Sequence, residues 1–257
     1  MATRQLVLVD DCGPVRVLLM NRPEARNALN SELIETLFAA LCDADCDSSV
    51  RAVVLTGIDP AFCAGVDLKQ AQREGPAYFE RYRSHNCITR TARMSTPIVG
   101  AINGPVFTGG LEMALGCDFL IASERAMFAD THARVGILPG GGMTARLPQL
   151  VGAATARRLS MTGEVVDAAR AERIGLVTEV VPHERLLARA VELAGQIAEV
   201  PAPIMAGLKE IYATGAAAVT DPALAAEQTI SAELSDTTDL AARYAEVSER
   251  NRRQIRG

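Results

Sequence analysis

Two stretches constrain this chain more than any other feature. Each holds an apolar run of strand length, a loop of small residues, and then the start of a helix. The first runs from Arg51 to Gly57 and on through Ala61-Phe62-Cys63-Ala64-Gly65-Val66-Asp67-Leu68. The second runs from Pro97 to Asn103 and on through Gly104-Pro105-Val106-Phe107-Thr108-Gly109-Gly110, with Leu111, Glu112, Ala114 and Leu115 on the helix. Short apolar runs closed by glycine read as buried strands. Around them, residues 5–20 read as a β-hairpin turning at Gly13-Pro14, and Asp118 to Ala122 as another strand. Asn30 or Ser31 caps a helix whose apolar face is Leu33, Ile34, Leu37, Phe38 and Leu41. Strands alternating with helices over two-thirds of the chain predict an α/β fold.

From about residue 153 the pattern turns helical, apart from a short strand between Leu176 and Val181. Leu186, Leu187, Ala190, Leu193, Ala194 and Ile197 form one apolar stripe, and Ile204, Leu208, Ile211 and Tyr212 another. Asp221-Pro222 has the form of a cap followed by a first-turn proline, and predicts that a third helix opens there. The run Gly215-Ala216-Ala217-Ala218 suggests close helix packing, including packing between subunits.

The 257 residues carry a net charge of −5, which argues against a general nucleic-acid or anionic-membrane binder. No signal-peptide pattern follows the first residues and no uncharged apolar run reaches about 18 residues, so a cytoplasmic protein without a membrane span is expected. Six scattered cysteines form no CxxC and no metal-ligand spacing with histidine; free thiols and no metal are expected. Cys42 and Cys46, four apart on a helix, read as buried small hydrophobes.

The phosphate-binding GxxxxGK[ST], the dinucleotide GxGxxG and the GxSxG nucleophile elbow are all missing, and Gly140-Gly141-Gly142 has neither glycine spacing. Phosphoryl transfer, hydride transfer and serine hydrolysis lose weight accordingly. The two small-residue junctions instead leave helix-start N–H groups free to face a developing oxyanion, although small residues also serve close strand–helix packing. Glu112 lies in the first turn of its helix among apolar neighbours, where burial raises a carboxyl pKa and the helix N-terminus lowers it. That balance suits a group that accepts and donates protons; a solvent-facing glutamate serving the dipole is the plainer reading. Of three histidines, His85 and His183 sit in polar surroundings and read as surface residues, whereas His132 follows apolar and small residues.

Together these segments closely resemble the crotonase, or enoyl-CoA hydratase/isomerase, superfamily. Asn21-Arg22-Pro23-Glu24-Ala25-Arg26-Asn27-Ala28-Leu29 is similar to its coenzyme A segment, and Ala61 to Lys69 to its first oxyanion-hole element. Ile102 to Glu112 is similar to the second element, and Gly136 to Met143 with Arg146-Leu147 to the loop and helix that follow. The resemblance implies a spiral of repeated β-β-α units over residues 1–195 and a C-terminal helical trimerisation region over 196–257. It implies a homotrimer or dimer of trimers, an acyl-CoA substrate, and no cofactor beyond the coenzyme A of the substrate. The thioester oxygen would lie between the N–H groups of Val66 and Gly109. Arg26, Ala28, Ala64, Asp67, Leu68 and Lys69 would bind the substrate, with Arg26 and Lys69 facing its phosphates. Glu112 matches the first catalytic glutamate of the hydratases, while the second position holds His132. Val66 and Thr108 also depart, standing where alanine, and glycine or alanine, are usual.

The function expected is hydration of a 2-enoyl-CoA in fatty-acid metabolism of the β-oxidation type, run by Glu112 and His132. A 3-enoyl to 2-enoyl isomerase, which needs one proton shuttle and no fixed water, is the alternative within the enzymes. An acyl-CoA-binding protein without chemistry is the alternative outside them.

Overall fold

The structure is a computed structural model that describes residues 5–234 and 240–256. Among the described residues, six strands form the main sheet in the order β1 (Val7–Cys12), β2 (Val15–Met20), β3 (Ala52–Gly57), β4 (Ile98–Ile102), β6 (Phe119–Ser123) and β9 (Glu179–Val181). The first pair is the antiparallel hairpin expected from Gly13-Pro14, and every later neighbour is parallel. β3 and β4 are buried on both faces, as central strands of a covered parallel sheet must be. Their side chains alternate accordingly. Ala52, Val54, Val99 and Ala101 pack with Leu186, Ala190 and Ala194 of the helix Leu186–Ala198, whereas Val53, Leu55, Ile98 and Ile102 join the larger core beneath the helix Ser31–Cys46.

A small second sheet decides where the chemistry lies. Its order is β5 (Val106–Phe107), β7 (Met127–Ala129) and β8 (Val166–Asp167). β4, β5 and the helix Gly109–Leu115 form one turn of a repeat; β6, β7 and the short helix His132–Val135 form the next. In each turn the first strand enters the main sheet and the second enters the small one. These are successive turns of the β-β-α spiral, and they stack equivalent loops at one edge of the molecule.

The helical remainder departs from expectation in several places. One helix spans Ala202–Leu234 with Pro222 inside it, so no new helix opens at Asp221-Pro222. Both halves of that helix hold the same neighbour: Thr220 bonds Gln149 of the helix Met143–Val151, and Glu227 bonds the N-terminus of that same helix. Shared packing outweighs the interruption that proline causes. The predicted stripe is real but bare, with Ile204, Leu208, Ile211 and Tyr212 all exposed. Cys42 and Cys46 flank the buried face of their helix instead of lying in it: Cys42 is half-buried near Arg90 and Cys46 is exposed. All six thiols are free. β8 lies in a stretch read as helical, and the expected boundary at 195/196 falls inside the helix Leu186–Ala198. No helix among the described residues is long and apolar enough to cross a membrane.

Candidate active site

The site is assembled where two neighbouring parallel strands end. β3 and β4 run side by side, so the loops that follow both emerge at the carboxyl edge, the usual place for ligands in open α/β sheets. The two loops touch. Phe107 N–H donates to the Cys63 carbonyl at 3.1 Å, and residues 63 and 106 form an isolated parallel bridge. A Cβ placed on Gly110 would stand 2.4 Å from the Cys63 oxygen, so only glycine admits this approach. Beyond the contact, the N–H groups of Val66 and Gly109 donate to no described backbone or side-chain acceptor, whereas the flanking Leu29 and Asp67 amides are engaged.

Thr108 sits at the turn into the second helix with φ 47° and ψ −120°, a conformation a β-branched residue reaches only under strain. Its hydroxyl makes no hydrogen bond among the described residues and lies where a Gly65 Cβ would be. We expect Thr108→Gly to stabilise the fold by about 1 kcal/mol, the relieved strain exceeding the extra unfolded-chain entropy of glycine. Chemical denaturation checks this; an unchanged midpoint would mean that Thr108 is not strained.

Glu112 is held with its carboxylate buried at 3% exposure. Gly141 N–H donates to Oε1 at 2.8 Å and Met143 N–H to the same oxygen at 3.3 Å. Oε2 is thereby left pointing at His132, whose Nε2 is 3.6 Å away. His132 is equally buried and arrives there because β7 pairs with β5, which sets Ala129 against Thr108. Burial pushes the Glu112 carboxyl above its ordinary value, partly opposed by the His132 charge. Burial alone would depress His132, but the surrounding carboxylates of Glu112, Asp130 and Glu227 overrule it and the imidazole stands above its usual value. Two buried titratable groups facing one another, both with raised pKa values, have the chemistry to accept and donate a proton.

The pocket in front of this pair is walled by Arg26, Ala64, Val66, Leu68, Thr108 and His132. Its far wall is the helix Leu240–Arg256, through Tyr244, Val247 and Asn251 of the same chain. Gly109 and Glu112 are not among its lining residues. Three expected substrate residues lie elsewhere. Asp67 is buried, caps the helix Leu68–Glu74 by accepting from Gln70 N–H, and pairs with Arg22 at 2.7 Å. Ala28 uses its carbonyl to accept from Arg22, and Lys69 is exposed outside the pocket lining. Arg26 is exposed at the mouth, and its carbonyl accepts from Ala64 N–H at 3.0 Å, which joins the two segments.

His183 is not a surface residue. It is half-buried, with Nδ1 2.9 Å from Ser123 Oγ and Nε2 2.9 Å from Asp59, because the turn after β9 returns it to the sheet edge. Ser123 is fully buried and accepts from Arg125 N–H, so this trio ties loops together, outside the pocket lining. His85 is exposed and packs edge-on against Phe38.

Two functional groups escaped the sequence reading. Glu227, buried on the helix Ala202–Leu234, accepts from Gly142 N–H at 2.8 Å and from the N–H and hydroxyl of Thr144. It thus secures the glycine loop whose Gly141 donates to Glu112. Its signal was an acid alone in an alanine-rich stretch. Asp130 stands two residues before His132 and bonds its ring. The glycine cluster at 140–142, which fits neither nucleotide-binding spacing, supplies these donors through Gly141 and Gly142.

A profile of the family described as "Enoyl-CoA hydratase/isomerase" matches residues 13–252. The chain belongs to the enoyl-CoA hydratase/isomerase family. Among its curated relatives is a "Probable enoyl-CoA hydratase" of Rhizobium meliloti, 40% identical over 206 residues covering 79% of each chain. A mitochondrial enoyl-CoA hydratase of Pongo abelii is 37% identical over 198 residues, 76% of this chain and 68% of the relative. Among solved structures, an enoyl-CoA hydratase from Mycobacterium smegmatis matches with TM-score 0.80 and 45% identity over 90% of this chain and 98% of its own. An enoyl-CoA hydratase/isomerase from Pseudoalteromonas atlantica matches with TM-score 0.84 and 31% identity over 96% and 98%. The family's crotonase-type fold accounts for the spiral and its helical C-terminal region.

Proposed function

We propose that this member of the family is an enoyl-CoA hydratase that adds water across the double bond of a 2-enoyl-CoA, and that Glu112 and His132 are its proton-exchanging pair. The observation that carries this reading is the facing of Glu112 Oε2 and His132 Nε2 at 3.6 Å. Two atoms at that separation can both lie about 2.8 Å from a single water oxygen. An isomerase needs one shuttle and leaves the second group idle.

In this reading the thioester oxygen takes the unengaged N–H groups of Val66 and Gly109. The water oxygen bonds to C3, the C2=C3 electrons move onto the carbonyl as an enolate, and Glu112 Oε2 takes the water proton. The pair then returns one proton to C2 as the enolate collapses, so that H and OH have added. The oxyanion donors lower the barrier because they are aimed at charge that appears only in the transition state. Arg26 at the mouth supplies positive charge for coenzyme A phosphates. The bare apolar stripe of the helix Ala202–Leu234 supports a homotrimer or dimer of trimers, with a solution mass three or six times that of one chain.

Crotonyl-CoA and a longer 2-enoyl-CoA are expected to lose their conjugated thioester absorbance in the presence of the enzyme, with 3-hydroxyacyl-CoA as product. Conversion of a 3-enoyl-CoA without hydration of either would replace this reading with the isomerase. Tight binding without turnover of any of them would make the chain a carrier.

A further inference from the structure

His132 faces a carboxylate on each side. Glu112 approaches Nε2 from the helix Gly109–Leu115, while Asp130 holds Nδ1 at 2.7 Å from the turn after β7. Asp130 is 2% exposed and absent from the pocket wall, so it reaches substrate only through the imidazole. It accepts from the His132 backbone N–H at 3.2 Å as well as from the ring. Burial would raise its carboxyl, yet the hydrogen bond and charge of His132 hold it below the ordinary carboxylate value. It is therefore ionised at neutral pH. An ionised carboxylate is an acceptor only, so the ring nitrogen beside it carries the proton.

We propose that Asp130 is a positioning residue that locks His132 in the Nδ1–H form and thereby makes Nε2, the atom facing Glu112, the nitrogen that exchanges protons. Its part in catalysis rests on the hydratase reading above; the tautomer itself does not. The lock answers what a histidine needs in order to serve beside one glutamate. An imidazole has two nitrogens, and a free ring divides its proton between them. Here the second carboxylate removes that freedom. The other charged group facing the ring is Glu227, from the helix Ala202–Leu234, while Arg26 and Arg252 line the same pocket. Asp130 is nonetheless the carboxylate that bonds the ring directly.

The test uses the intact enzyme. Only three histidines are present, so long-range proton–nitrogen NMR of the imidazoles, with His132→Gln to assign the missing signal, reads the tautomer. Above its titration, wild-type His132 is expected to keep its proton on Nδ1. Asp130→Asn should lower the His132 titration by about one pH unit or more, since a carboxylate at hydrogen-bond distance favours the charged ring. With 2-enoyl-CoA, the same variant should lose about 10²-fold in kcat with little change in KM. The pH–rate limb that His132→Gln abolishes should move to lower pH. A wild-type proton on Nε2 would overturn the proposal even if Asp130→Asn failed to fold. A variant that loses turnover while the His132 tautomer and titration stay unchanged would also overturn it, making Asp130 merely structural. Absence of hydration by the wild type, with Nδ1–H observed, would defeat the hydratase reading and leave the lock standing.

Discussion

Glu112→Gln is expected to lower turnover on a 2-enoyl-CoA by ~10²–10⁴, the usual share of general acid–base catalysis, while leaving acyl-CoA binding almost unchanged. The substituted amide keeps the shape of the side chain, and its oxygen still accepts the N–H groups of Gly141 and Met143 that now hold Oε1. What it loses is the basic Oε2 that faces His132. The stability of the variant should not fall, because a buried carboxylate is an unfavourable group to bury and its neutral replacement keeps the same partners. A gain in thermal midpoint together with a loss of kcat would be the signature of a side chain retained for chemistry. Isothermal titration with a saturated acyl-CoA and a steady-state assay separate the two effects. Lost binding would make Glu112 a structural residue.

Gly110→Ala should be nearly as damaging by a different route. The added methyl would stand 2.4 Å from the Cys63 carbonyl oxygen and 2.8 Å from the Cys63 Cβ. Cys63 cannot give way cheaply, because its carbonyl accepts from Phe107 N–H in the bridge that holds the two loops together. Overpacking of this kind costs about 1–3 kcal/mol. In the proposed reaction, prying the loops apart would also misalign the N–H groups of Val66 and Gly109, and loss of one such oxyanion donor is expected to lower turnover by about 10²–10³. Gly195→Ala is the matched control: it sits in the helix Leu186–Ala198 with nothing within 4 Å of its would-be Cβ, and should stabilise by up to about 1 kcal/mol. If Gly110→Ala were as well tolerated as that control, in stability and in kcat, the contact between the loops would carry no weight in catalysis.

The legible parts of this protein are those set by local chemistry. Apolar runs ending at Gly57 and Asn103 are strands because a covered parallel strand needs both faces apolar. Asn30 caps the helix it precedes, its side chain accepting from Leu33 N–H. The two small-residue junctions are readable because glycine and alanine are needed wherever backbone must meet backbone. Glu112 is readable because an acid among apolar neighbours is rarely placed there without cause. His132 stands two residues after the carboxylate that bonds its ring, but its facing of Glu112, twenty residues earlier, is written in no local pattern.

Other features came from contacts between segments far apart in the chain. Pro222 carries the local signal of a helix start, yet Thr220 and Glu227 bind the same neighbouring helix from either side of it, and the helix continues. His183 looks polar and exposed until the turn after β9 places it between Ser123 and Asp59. Glu227 reaches the glycine loop from 85 residues away, and no periodicity records such a pairing. The residue types alone determined that this is an α/β chain with two glycine-bearing junctions and one misplaced acid, because strand, turn and cap preferences act over a few residues. Only the tertiary structure decided which groups face one another in the site. Gly141, His132 and Glu227 meet around Glu112 through sheet pairing and helix packing, and those depend on how distant segments bury their apolar faces together.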